Sequence, residues 1–401
     1  MADKVKVAAA VFAITVGAGG PLTAIAQSDC NQPAANTTTL LDLPGNPFQA
    51  LSTKDGCWIF VSMLQPRRDS KKGLAVVRRG GGKLELVRVV EDVGDPAGMA
   101  LTHDGRLLII AARDRVKFLD VARLISGDRH PVLGELAEDK PLGLIEATVT
   151  ANDSLLFVSY EHGASVAVID LYRTRQSSFA QPVVLGRLAA LVPVSVVLSP
   201  DERLLYVSAM TSPPAFGWSR DCPGPGGGDS VPKGAVLVFD VARAAAGEGG
   251  ALIGKVQAGC SPVRVALSPG GDTVYTTVRW DNAVLAFDAR RVVTDPEHAL
   301  LARVPVGMEP VGVLPVNGGS TIVVANSHRF ASDADGNQTL SIIDAARLGS
   351  GAAAVVGSIP AGAFPRELEV TSDGRTLLLT NFGSRTLELI DLARVREGAP
   401  R

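Results

Sequence analysis

Cysteine, histidine and aromatic residues are scarce: four Cys, five His and 5% Phe, Trp and Tyr among 401 residues. No C-x-x-C or C-x-x-C-H occurs, which removes zinc-ribbon, thioredoxin-like and attached c-type haem sites. G-x-S-x-G, H-E-x-x-H and G-x-x-x-x-G-K-[ST] are equally absent, so no nucleophile elbow, zincin helix or phosphate loop is expected. The formal charge is -2, with no long basic face, which argues against nucleic acid as a partner. No segment has 18 uninterrupted apolar residues, so no transmembrane segment is expected.

The first 26 residues read as a secretory signal peptide. Lys4 and Lys6 precede the apolar stretch Val7 to Val16, and Ala24-Ile25-Ala26 gives a small-x-small pattern before Gln27. The expected product is exported, periplasmic or extracellular, with residues 27–401 forming one domain.

What fills that domain is a repeat. Copies begin at Pro47, Pro96, Leu144, Pro193, Pro262, Pro310 and Pro365, at intervals of 49, 48, 49, 69, 48 and 55 residues. Each reads as an apolar strand, an Asp/Gly/Asn turn, a second apolar strand, a loop, a third strand and a fourth. Pro96 to Ile110 aligns with Pro365 to Leu379, both with Asp-Gly between aliphatic runs, which predicts a hairpin with a tight primed turn. Periods near 40 to 50 with four strands each predict propeller blades. The fold class is therefore all-β, a seven-bladed β-propeller of four-stranded antiparallel blades. The last copy stops after three strands, and a strand at about 37–43 is expected to complete it, closing the ring and covering its free edges.

Third strands end in Asp120, Asp170, Asp240, Asp288, Asp344 and Asp391, each followed three residues later by Arg. A feature shared by nearly every copy serves the blade, so an Asx-turn with an Arg partner is expected rather than a basic binding stripe. In this register Cys222 and Cys260 fall on the face where first strands begin, and Cys30 and Cys57 on the opposite face. Cys222–Cys260 and Cys30–Cys57 disulfides follow, as suits an oxidising compartment.

Leu198-Ser-Pro-Asp-Glu-Arg-Leu-Leu-Tyr-Val-Ser208 and Thr376-Leu-Leu-Leu-Thr-Asn381 resemble the consensus of the YVTN-type β-propeller family, and the resemblance covers almost all of the mature chain. It implies architecture more than chemistry. Similar propellers include lactonase-like hydrolases, quinoprotein dehydrogenase subunits and binding proteins.

The second residue after each starting position does not repeat: Gln49, Gly98, Glu146, Ser195, Arg264, Gly312 and Glu367. These are expected at the mouth of the central channel, where Arg366 and the loops after second strands also converge. Those loops carry His162, Arg279, Asn326 and His328. Glu146, His162, Arg264, Arg279, Asn326, His328, Arg366 and Glu367 are thus the candidate ligand-binding or catalytic residues. Arg264 at such a mouth is expected to serve binding while adding little to stability. The long loop Thr211 to Lys233, with Trp218, is the candidate partner contact. Asp333-Ala-Asp335-Gly-Asn337 spaces oxygen ligands like a calcium loop but lacks the bidentate Glu, so a solvated turn and no metal are expected. No cofactor is expected.

Two functions fit. One is a binding propeller for a small polar or anionic ligand, or a protein partner, at the channel mouth. The other is a lactonase-like hydrolase, with His328 or Glu146 as general base and Arg264 or Arg279 facing a developing oxyanion.

Overall fold

The computed structural model describes residue 30 and residues 38–65, 69–140, 142–224, 228–329 and 338–396. The proposed signal peptide and the Asp333 to Asn337 turn lie outside the described residues. Seven four-stranded antiparallel sheets form the blades. Their first strands are Asn46–Ser52, Pro96–Leu101, Leu144–Val149, Pro193–Leu198, Pro262–Leu267, Pro310–Val316 and Pro365–Val370. The strand Thr38–Asp42 pairs with Thr386–Asp391 and completes blade seven. Among the described residues no helix is long and apolar enough to cross a membrane.

Aliphatic residues alternate toward the two neighbouring blades, so the core is a series of clusters between sheets. Phe118, Ile109 and Val158, for example, pack between blades two and three. A bulge follows the starting residue of the first strand in all seven blades, and in five of them it has a repeated purpose. The freed amide of residue two donates to a Ser or Thr of the second strand. That hydroxyl donates in turn to a carbonyl of the next blade. Thus Arg264 N donates to Thr277 Oγ1 at 3.1 Å, and Thr277 Oγ1 donates to Val311 O at 2.7 Å. Ser62, Ser159, Ser208 and Thr380 repeat this latch.

Blades two and six carry Ala111 and Ala325 where the others have the hydroxyl, and these are the two blades with glycine at residue two. A Cβ on Gly98 would lie 2.3 Å from Ile145 O, and one on Gly312 2.5 Å from Arg366 O. Glycine allows direct backbone approach where the latch is missing. Gly98 and Gly312 vary from the pattern for packing reasons.

The Asp-Gly hairpins differ from the expected two-residue primed turn. Thr102 Oγ1 is 2.6 Å from Asp104 Oδ1, Leu107 N donates to Thr102 Oγ1, and only Gly105 has positive φ there, at 70°. The threonine hydroxyl bridges a wider turn, repeated at Thr53, Thr150, Ser199 and Thr371. A primed turn does occur at Gly81-Gly82, both with positive φ, between the third and fourth strands of blade one.

The strand-end aspartates cap short helices that simple strand patterning did not predict. Asp120, Asp170, Asp240 and Asp288 each accept from the amide of the Arg three residues on. The Arg123, Arg243 and Arg291 side chains then donate to carbonyls seven residues later, fastening the connection to the fourth strand. The arginines serve the blades.

Both disulfides have the expected partners, Cys30–Cys57 and Cys222–Cys260.

Candidate functional site

First strands start on one face, here called upper, and run inward along the channel. Residue one after each starting position is Phe48, Ala97, Ile145, Val194, Val263, Val311 or Arg366. Val194, Val263 and Val311 pack together with Ile145 and Phe364 partly buried against them, giving the upper channel an apolar layer. Arg366 is the single charged member of that layer.

One residue further along lies a charged layer. Arg264 is 5% exposed and reaches from blade five to blade seven. Its Nε donates to Glu367 Oε2 at 2.9 Å, and its Nη2 also donates to Glu367 Oε1. Glu146 Oε2 stands 3.8 Å from Arg264 Nε. Burial alone would lower the Arg264 pKa, but Glu367 and Glu146 hold it above its ordinary value. Burial pushes the Glu146 carboxyl up to about 7, against the pull of Arg264.

These three groups line a cavity of about 410 Å3 that continues past Glu369 to Pro200 and Pro269 at the turns of the opposite face. Glu146, Arg264 and Glu367 therefore sit one layer inside the channel rather than on its rim. Arg264 is a buried, doubly paired cation, so the expectation that it adds little to stability is corrected. Removing it would strand Glu146 and leave Glu367 with Arg366 alone. Glu369 was not singled out, although its counterparts are Leu51, Ala100, Thr148, Val197, Ala266 and Leu314. Its carboxyl is pushed up to about 7 by burial and by Glu367 and Glu146.

The upper mouth is cationic. Arg279, just past the strand Thr273–Val278, is 7% exposed, and Arg366 is 9% exposed. The Nε of each is buried without a hydrogen bond among the described residues. Arg366 Cζ lies 3.7 Å from the Phe48 ring centroid, with Phe364 and Phe382 at 5.6 and 5.8 Å. Its Nε is 3.6 Å from Glu367 Oε1, a carboxylate already shared with Arg264. Burial pushes the Arg366 pKa down to about 9; Glu367 opposes this, while Arg264, Arg329 and Arg279 add to it. Burial likewise lowers Arg279 to about 10, reinforced by Arg329 and Arg264 and opposed by Glu309 and Glu161. Four guanidiniums share one field, and two of them are desolvated with donor capacity to spare.

The remaining candidates divide. Asn326 is structural on one side: its Nδ2 donates to Thr339 Oγ1 and Ser341 Oγ, as Asn381 Nδ2 donates to Thr386 Oγ1 and Glu388 in blade seven. His328 has φ of 43° and is half-buried after the same strand, its amide bonded to Met308 O. His162 is exposed and lines a second upper-face cavity, of about 400 Å3, with Phe48, Leu64, Leu144, Ile145 and Glu161. Trp218 turns inward, edge-on to Phe216 and against the core of blade four, while Trp280, beside Arg279, is 39% exposed.

No family model and no curated protein sequence matches the chain. Solved structures do. The fold is that of a seven-bladed propeller. It is similar to Kuenenia stuttgartiensis hydrazine synthase, with TM-score 0.61 and 17% identity over 88% of this chain and 96% of that one. It is also similar to the β-propeller domain of Myceliophteria thermophila Cps50 (Swd1), with TM-score 0.58 and 12% identity over 89% and 99%. At these identities the likeness concerns architecture alone.

Proposed function

We propose that this chain is an exported, YVTN-type propeller that binds a small oxyanion at the upper channel mouth. The observation that carries the reading is the pair Arg279 and Arg366, each more than nine-tenths buried with an Nε that makes no hydrogen bond among the described residues. Arg366 shares Glu367 with Arg264, and Arg279 feels Glu309 and Glu161 electrostatically while its Nε lacks a hydrogen bond among the described residues; the buried positive charge left over is costly and is compensated when an oxyanion accepts the spare hydrogen bonds. Arg264 is a weaker contact candidate because Glu367 and Glu146 already neutralise it. A protein partner at the blade-four loop is less favoured, since Trp218 packs inward.

A lactonase-like hydrolase is the second reading, favoured by Glu146, whose pKa of about 7 suits a general base. It requires substrate to reach the layer below Val194, Val263 and Val311.

Calorimetric titration of the purified protein with sulfate and with acetate, at low ionic strength, tests the binding reading. Saturable binding, weakened at least about tenfold by Arg279→Gln together with Arg366→Gln, is expected from the loss of two charge-assisted contacts. Absence of heat with both anions would refute it. Lactone turnover that disappears in Glu146→Gln would select the hydrolase.

A further inference from the structure

The upper mouth offers more than charge. The Phe48 ring that carries the Arg366 guanidinium at 3.7 Å is also part of the wall of the 400 Å3 upper cavity. The rest of that wall near Phe48 is apolar: Leu64, Ala97, Leu144 and Ile145. The same cavity is also lined by two opposite-charge pairs, Asp95 with Arg113 at 3.5 Å and Glu161 with His162 at 3.9 Å, and Glu161 lies within the field of Arg279. A cationic anchor on blade seven and an apolar cavity of small-molecule size on blades one, two and three meet at the Phe48 ring.

Resting on the oxyanion reading, we propose that the ligand is an amphiphilic monoanion, a carboxylate carrying an apolar body. Its carboxylate accepts from Arg279 and Arg366, and its body lies over Phe48 and Ile145 in the cavity. A planar carboxylate matches the fork of a guanidinium. A second anionic group on the body would lose its water against Leu64, Leu144 and Ile145, which sets a monocarboxylate apart from a dicarboxylate of the same length. Val194, Val263 and Val311 close the channel beneath, so the body runs sideways toward Leu64 rather than down the axis.

The test is calorimetric titration of the full chain with acetate, butyrate, hexanoate and octanoate, beside hexanol, hexylamine and adipate. Affinity is expected to rise about fourfold per added methylene, the factor that follows from burying one CH2. Hexanol, hexylamine and adipate are expected to bind at least about tenfold more weakly than hexanoate, one factor of ten being 1.4 kcal/mol. Leu64→Gln should flatten the chain-length series while leaving acetate within about twofold, on the same scale. Ile145→Thr, closer in shape, serves the same purpose should the first variant fail to fold. Equal affinity for acetate and octanoate would overturn the amphiphile and leave the oxyanion reading standing. No binding of any anion would end both. Hexanol binding as tightly as hexanoate would remove the arginines from recognition, and an unchanged series in both variants would place the body elsewhere.

Discussion

Arg264 and Glu367, 103 residues apart, meet across the channel with Arg264 Nε 2.9 Å from Glu367 Oε2. The pair joins blade five to blade seven and separates the apolar, arginine-rimmed upper mouth from the carboxylate-lined lower cavity. Arg264→Ala is expected to destabilise the fold by about 3–5 kcal/mol, because Glu146 would remain buried without its cation and Glu367 would lose its two hydrogen bonds, keeping only the looser contact with Arg366. Urea unfolding measures it; a loss within about 0.5 kcal/mol, typical of surface changes, would show that the pair carries no structural weight.

Arg279 should behave oppositely. Its Nε makes no hydrogen bond among the described residues, and Arg329 and Arg264 act on it more strongly than Glu309 and Glu161. Arg279→Gln is therefore expected to raise the melting temperature in anion-free buffer while weakening anion binding, the trade expected of a strained functional site. A lowered melting temperature with binding intact would make Arg279 structural.

Much of this architecture was legible in the sequence because the blade repeats. Seven starting positions, the closing strand before Leu43 and both disulfide pairings follow from register alone. The depth of Arg264 was not legible, since its partner Glu367 lies two blades away and a single repeat unit gives no distance across the ring. The cap helices after Asp120 and Asp240 were hidden because each is six residues long, and their first turns read as turns. A signal for Glu369 was available in the repeat alignment, where it is charged against six uncharged counterparts just as the candidate Arg366 is.

The interblade latches predict a graded, local effect. Ser208→Ala removes the acceptor of Ser195 N and the donor to Val263 O, and should cost about 1–3 kcal/mol for the buried groups left unmade. Equilibrium unfolding that showed no change would mean the latch is redundant with packing.

The channel carboxyls set a pH dependence. Glu146 and Glu369 are raised from 4.5 to about 7. Between those values the folded chain holds protons that the unfolded chain has released, so these groups stabilise the fold below about pH 4.5 and their contribution is lost as pH rises through about 7. Glu146→Gln with Glu369→Gln should flatten this part of the stability profile. A profile unchanged by both substitutions would mean that the two carboxyls titrate normally.

The oxyanion account stands or falls on what occupies the space beside Arg279 and Arg366. Crystals soaked in selenate, read by the anomalous signal of selenium, locate it directly. The account predicts a peak with an oxygen within hydrogen-bonding distance of Arg279 Nε and of the Arg366 guanidinium, absent in Arg279→Gln. A mouth without a peak, or a peak confined to exposed arginines of the blade connections such as Arg173, would contradict it.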